Sequence, residues 1–312
     1  MQEKCIYNAL PSKERAFFLR TNTNQILDIS LGEIYNFLKQ IDNDGLKKRN
    51  HLLLSNDKHY ASKYIFNSCL IDFIQKEQYD KIPIYIDAFE SLSFLLKQGI
   101  NIISYDLLKT PFKEKIKELC NIGTLKKPLF LPTKQNDINL NKKNILMAFS
   151  IIKNVDPAYY DEITTFLDVI ILVRAKNLNA GSSVDMLGMM FLEVKYINDP
   201  IDMIEIIIHE SAHMYLHFLN TNDELILNDP KELFESPFRK ELRPMMGVFH
   251  ATFVAARIAH FFQKIKNSGV LSEQIGRVNK KISSNRQCFE RCFPDVKKHS
   301  KTTKISKEII NS

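Results

Sequence analysis

The chain has 312 residues, 45% of them apolar and 25% charged, enough for a sizeable buried core in one large domain or two modest ones. Nine glycines and eleven prolines exclude collagen-like and low-complexity classes. Basic side chains exceed acidic ones 43 to 36, a formal charge of +7, but no basic helix with interleaved aromatics accompanies the excess, so no nucleic acid is expected as a partner.

The N-terminus, MQEKCIYNALPSKERAFFLR, has no uninterrupted apolar region and no small-residue cleavage site, so no secretory signal is expected. No apolar run reaches the roughly 18 residues of a membrane span, and no membrane partner is expected. Cys5, Cys69, Cys120, Cys288 and Cys292 are odd in number and lack CxxC spacing, which reads as reduced thiols in a cytoplasmic protein. Cys288 and Cys292, four apart, would be half a zinc site without neighbouring ligands; a buried thiol pair is the simpler reading.

In chain order, Leu27 to Ile41 carries apolar residues at a helical period after a TNTN stretch, and Tyr64 to Ile74 repeats the pattern. Pro83 to Ile86 suits a short strand, Asp87 to Leu96 a helix. Lysines at 113, 115, 117, 126, 127 and 134, among three prolines, mark a surface region. Asn144 to Val155 is a helix end or a strand. Leu167 to Val173 and Met189 to Val194 are compact and rich in β-formers, hence strands, with the turn-rich NLNAGSSVDMLG between them. Asp199 and Pro200 then offer an N-cap and a first-turn proline, opening a helix to about Asn220. A polar, turn-rich segment follows, and a second strong helix runs from Pro244 to about Lys266. The last eighteen residues carry five lysines and read as a mobile tail.

The chemistry sits on the first of those two helices, in His209-Glu210-Ser211-Ala212-His213. A spacing of four puts both imidazoles on one face, one turn apart, where they can chelate one metal ion. Glu210 beside them can act as a general base or orient a ligand. The competing reading is two core histidines satisfied by hydrogen bonds. His217 extends the series, but it lies about 12 Å along the axis from His209, too far to share an ion with it. The third ligand must come from elsewhere. Leu216 and Leu219 stand where a metzincin needs glycine and histidine. Glu232 or Glu235 would complete a gluzincin-like set. His250, on the apolar second helix with Met246, Phe249, Phe253, Val254 and Ile258, is the competing candidate, because a polar ring there needs a partner. Arg239, Arg243 and Arg257 add planar forks for carboxylates, unless they pair with Glu232, Glu235 and Glu241.

Three segments in order, HESAHMYLHFL at 209–219, FESPFRKELRP at 234–244 and GVFHATFVAAR at 247–257, resemble the HExxH-type 2-oxoglutarate-dependent peptide β-hydroxylases, which tailor ribosomally made peptides. Gly181-Ser-Ser and Gly188-Met-Met-Phe-Leu resemble the loop and strand preceding the helix in that family. The likeness covers roughly residues 165–265; His217 departs from it. It implies Fe(II) held by His209, His213 and His250, and a 2-oxoglutarate carboxylate gripped by one or more of Arg239, Arg243 and Arg257. It also implies O2 as co-reactant and Glu210 at the reacting centre. Iron enzymes of this chemistry ordinarily use two histidines and one carboxylate, so Glu210 or a downstream glutamate stays open as a ligand.

The expected product is a precursor peptide hydroxylated at a β-carbon. The rival is a zinc metallopeptidase, with Zn(II) at the motif and Glu210 as general base; a non-catalytic, metal-stapled binding protein is the third reading. The expected fold is α+β, predominantly helical, with a small sheet packed against the HExxH helix. Residues 1–135 form a mainly helical region suited to peptide docking, 136–294 the metal-binding region and 295–312 the tail.

Overall fold

Residues 166–173 contain the longest apolar-rich run of the sequence, and their backbone forms the central strand of a sheet. In the computed structural model, which describes residues 8–41, 59–121, 127–195, 199–236 and 239–312, this strand is β3 (Val169–Lys176), buried along its first five positions. A strand covered on both faces has no polar side to alternate, hence the unbroken Val-Ile-Ile-Leu-Val. Strands β1 (Asn101–Ser104) and β5 (Met189–Glu193) flank it in parallel, with Ile103 opposite Ile171 and Phe191 opposite Ile171. Antiparallel β2 (Leu129–Leu131) extends the β1 side at the end of β3, and antiparallel β4 (Ala180–Ser182) covers the outer edge of β5. The chain is 68% helix and 12% strand, a predominantly helical α+β protein with a small mixed sheet packed against helices.

The chain divides into two compact units that interleave in sequence, rather than at a boundary near 135. Residues 20–142 and 166–198 form one; residues 1–19, 143–165 and 199–312 form the other. The first holds the sheet, most of α1 (Lys13–Leu38), α2 (Tyr60–Gln75), α3 (Ile82–Leu95) and α4 (Thr110–Asn121). Pro83 to Ile86 is helical, not a strand: Pro83 occupies the first turn of α3, where its missing N–H costs nothing. Asn144 to Val155 likewise belongs to a helix, α5 (Gln135–Val155). Cys5, Lys126 and Asn198 lie outside the described residues.

Gly188 closes the turn into β5 with φ +81°, and its carbonyl accepts from Asp168 N at 2.8 Å and Val169 N at 3.0 Å. A Cβ there would stand 2.9 Å from Asp168 Oδ2, which is paired with the Arg20 guanidinium. Gly188→Ala therefore combines a left-handed penalty of about 1–2 kcal/mol with a shift of that ion pair. A lowered urea midpoint at unchanged slope is expected; an unchanged midpoint would contradict the strained turn.

The second unit contains α6 (Pro157–Phe166, except its last residue), α7 (Pro200–Asn220), the hairpin β6 (Leu233–Ser236) and β7 (Arg239–Pro244), α8 (Met245–Ser268), α9 (Ile275–His299) and α10 (Lys304–Asn311). Asp199 caps α7, accepting from Ile201 N at 2.9 Å and Asp202 N at 3.2 Å. Acidic residues spaced three apart on the start of α7 face basic and polar residues spaced four apart on α9. Arg277 bridges Asp199 and Asp202, Lys281 bridges Asp202 and Glu205, and Asn285 donates to Glu205.

The eighteen C-terminal residues form no frayed tail. They complete α9 and form α10, which buries Ser306 and Ile309. Leu227 N donates to Lys301 O at 2.7 Å and Asn228 Nδ2 to His299 O at 3.0 Å, stitching this end to the loop after α7. Among the described residues α8 alone has the length and apolarity of a membrane span, yet 72% of that window is buried inside the protein, as in a core helix.

Candidate metal centre

His209 and His213 occupy successive turns of α7, with ring centroids 4.9 Å apart. The helix is fixed on one side by the acidic ladder to α9 and packs along α8 through Tyr215, whose ring stacks on Phe253 at 5.5 Å. That packing carries His250, in the second turn of α8, to the HExxH face. His213 Nδ1 and His250 Nδ1 stand 3.2 Å apart, with ring centroids 5.4 Å apart. Two nitrogens each about 2.1 Å from one ion, at angles between octahedral and tetrahedral, are separated by about 3.0–3.4 Å. The pair thus fits either a shared proton between the rings or a shared cation.

Glu210 points inward, 6% exposed, with Oε1 4.0 Å from His209 Nε2. His209 is the more accessible ring, its side chain 39% exposed. His217 lies too far along the axis to join His209, but its ring lies 5.4 Å from His250 and 6.4 Å from His213. Four imidazoles are thus gathered on two helices. Among the described residues, no three His, Cys, Asp or Glu side chains already converge on one point, so a third nitrogen donor reaches the His213–His250 pair only by rotating its ring. Imidazole nitrogens suit zinc, iron, copper and nickel, and the donor set fits such an ion.

The glutamate candidates for third ligand are engaged elsewhere or face solvent. Glu232 accepts from Asn228 at 3.1 Å and pairs with Lys301 at 3.1 Å, and Glu235 is exposed. Of the candidates for third ligand, His250 is the one the fold brings against His213.

The three arginines separate. Arg243, opposite Phe234 in the hairpin, lies immediately before the first turn of α8, and its charge reaches both His213 and His250. Its guanidinium rests against Gly247, where an added Cβ would stand 3.1 Å from Arg243 Cζ and Nε. A glycine at 247 lets the side chain lie along the helix start. Arg239 pairs with Ser236 in the hairpin backbone, and its side chain lies outside the described residues. Arg257 faces the protein interior instead of a free carboxylate site. It is 3% exposed, its Nη2 lies 2.5 Å from Glu162 Oε1, and the rings of Tyr159, Tyr215 and Phe253 surround it at 5.0–5.5 Å. Its carboxylate partner is already inside the protein. Burial alone would lower its pKa, but Glu162 more than offsets this and raises it.

Burial, then the neighbouring His209, His250, His217 and Arg243, holds His213 well below its ordinary pKa. His250 is pushed down to about 3 by burial, then by His217 and Arg243. Both rings are neutral at pH 7, the form that binds metal. Unfolded, they would titrate near 6.5, so below that pH the unfolded chain takes up protons that the folded one refuses. Metal-free stability is therefore fully present above about pH 6.5 and falls as the pH drops below it, for His250 until about pH 3, by up to about 1.4 kcal/mol per pH unit for each ring. Metal-stripped protein is expected to unfold at lower urea at pH 5 than at pH 7, and His250→Leu should flatten the difference. Equal midpoints for the wild type would contradict a neutral His213–His250 pair.

Cys288 and Cys292 are free, and burial raises both thiols, the opposite of what a thiolate ligand needs. Compared with protein-family models and with curated proteins, the chain matches none.

Proposed function

We propose that this chain is an Fe(II)- and 2-oxoglutarate-dependent dioxygenase that hydroxylates the β-carbon of a residue in a ribosomally made precursor peptide, acting in the cytoplasm. The observation that carries the reading is the 3.2 Å approach of His213 to His250 across two helices, with the Arg243 charge beside both rings. A dicarboxylate cosubstrate needs a cation within reach of the metal.

In this reading His209, His213 and His250 hold the iron as neutral donors. When bound, the ion supplies the redox chemistry that couples oxidative decarboxylation of 2-oxoglutarate to hydroxylation by O2. Arg243 receives the far carboxylate of 2-oxoglutarate, and the His209 side remains the open face for the peptide. Glu210, nearly buried beside His209, orients that ring, and can hold or release a proton at its Oε1. Arg257 and Glu162 keep α8 and α6 in register and touch no substrate.

Purified anaerobically and supplied with Fe(II), 2-oxoglutarate, O2 and the precursor peptide encoded beside its gene, the protein should form succinate and a peptide heavier by one oxygen atom. Arg243→Ala should raise the KM for 2-oxoglutarate at least about tenfold, the loss of one charge-assisted contact, with little change in iron binding. Peptide cleavage without succinate, with Zn(II) as the active metal and Glu210 as base, would replace this reading by the metallopeptidase one.

A further inference from the structure

His217 is the member of the imidazole cluster to which the proposed iron site gives no role. Its ring lies among other imidazoles, though the rings do not yet converge on one point among the described residues. His213, His217 and His250 are in ring contact pairwise, at 6.4, 5.4 and 5.4 Å. In the set His209, His213 and His250, only two of the three pairs make ring contact among the described residues. Imidazoles sharing one ion have centroids about 5 Å apart, from a metal–nitrogen bond of about 2.1 Å plus half a ring. Two of the three pairs around His217 are close to that value, and the third closes by about 1 Å through rotation about the soft terminal torsion of histidine. Like His209 and His213, His213 and His217 are a one-turn pair on a single face of α7.

We propose that His213, His217 and His250 form a second chelate for a borderline divalent cation such as Zn2+, Co2+, Ni2+ or Cu2+. It shares two rings with the proposed iron site, so it rests on that reading for His213 and His250, and the two modes exclude each other. The two modes share His213 and His250 and differ in whether His209 or His217 supplies the third nitrogen, four residues and about 6 Å apart along α7. All three donors are imidazole nitrogens, which favours zinc, copper and nickel over harder cations. An imidazole-preferring ion parked there removes His213 and His250 from the catalytic position.

Co2+ alone tests this, read by its visible absorption in metal-stripped wild type, His209→Ala, His217→Ala and the double variant, with circular dichroism confirming folding. His209→Gln serves as the second variant should His209→Ala fail to fold. His209→Ala is expected to bind one Co2+ within about tenfold of wild type, and the double variant more than about 100-fold more weakly, since even outer-sphere losses cost 10–100-fold. In ring-nitrogen NMR of His209→Ala, the His217 nitrogens should shift on adding Zn2+. Loss of all binding in His209→Ala, with His217→Ala unaffected and no His217 shift, would overturn the second chelate and leave the proposed iron site standing. A wild type that binds no Co2+ would overturn both.

Discussion

His250→Ala is expected to weaken Fe(II) binding by more than about 100-fold and to abolish succinate formation, while leaving the metal-free protein at least as stable as wild type at pH 5. The first half follows from ligand arithmetic. Losing an outer-sphere partner already costs 10–100-fold in affinity or activity, and His250 is placed as a direct donor, 3.2 Å from the His213 nitrogen. The second half follows from the unfavourable surroundings of the ring. It is held neutral, its pKa driven to about 3 by burial, then by His217 and Arg243, so below about pH 6.5 an apolar replacement removes a proton-linked cost that offsets the void it leaves. Equilibrium Fe(II) titration and urea unfolding, done on one preparation, separate the two effects. Unaltered iron affinity would remove His250 from the ligand set.

The largest stability effect is expected at Glu162, remote from any metal chemistry. Its carboxylate is 2% exposed and answers two buried cations, Arg257 Nη2 at 2.5 Å and Arg15 Nη2 at 3.9 Å, besides accepting from Ser12 N at 3.1 Å. The two guanidinium groups lie over Tyr215, each 5.4 Å from its centroid, and Tyr215 belongs to the HExxH helix. Glu162→Ala leaves Arg257 buried without this counter-charge and takes a carboxylate away from Arg15, and stranding a buried charge typically costs about 3–5 kcal/mol. Chemical denaturation should show a loss of that size. Combining Glu162→Ala with Arg257→Met should recover part of it, because the stranded Arg257 charge is then gone. A loss under about 1 kcal/mol in the single variant would mean that the cations are solvated rather than buried.

These two sites differ in how far the sequence discloses them. The HExxH helix is legible to the residue because its signals are local: Asp199 supplies the cap, Pro200 the first-turn φ, and the histidines their own spacing. His250 is legible as a polar ring on an apolar helix, though the sequence leaves glutamate alternatives open. Strand β3 is legible from its unbroken apolar run, and the helical nature of residues 144–155 is not, because a buried apolar stretch has the same composition in either conformation.

What stays hidden depends on partners distant in the chain. Helix α9 reads as a polar stretch until the acidic residues of α7, more than seventy positions earlier, are set against it. The hairpin 233–244 is charged and irregular, with a register shift between Phe234 and Ser236, and so lacks alternation. Arg257 has the residue type of a carboxylate ligand, but its carboxylate is Glu162, 95 residues away. Helical spacing sets His217 apart from His209, yet spacing along one helix does not disclose the His250 ring that the second helix brings beside His217.

The central claim is that the HExxH helix and the His250 helix together hold one iron beside an arginine that receives 2-oxoglutarate. Anaerobic Fe(II) titration with and without 2-oxoglutarate tests it most directly, because coupling between two ligands at one site must be reciprocal. The expected result is one Fe(II) per chain, bound more tightly in the presence of 2-oxoglutarate, with that enhancement lost in Arg243→Ala and binding itself lost in His213→Ala. Iron affinity indifferent to 2-oxoglutarate in the wild type, or unchanged by His213→Ala, would contradict it.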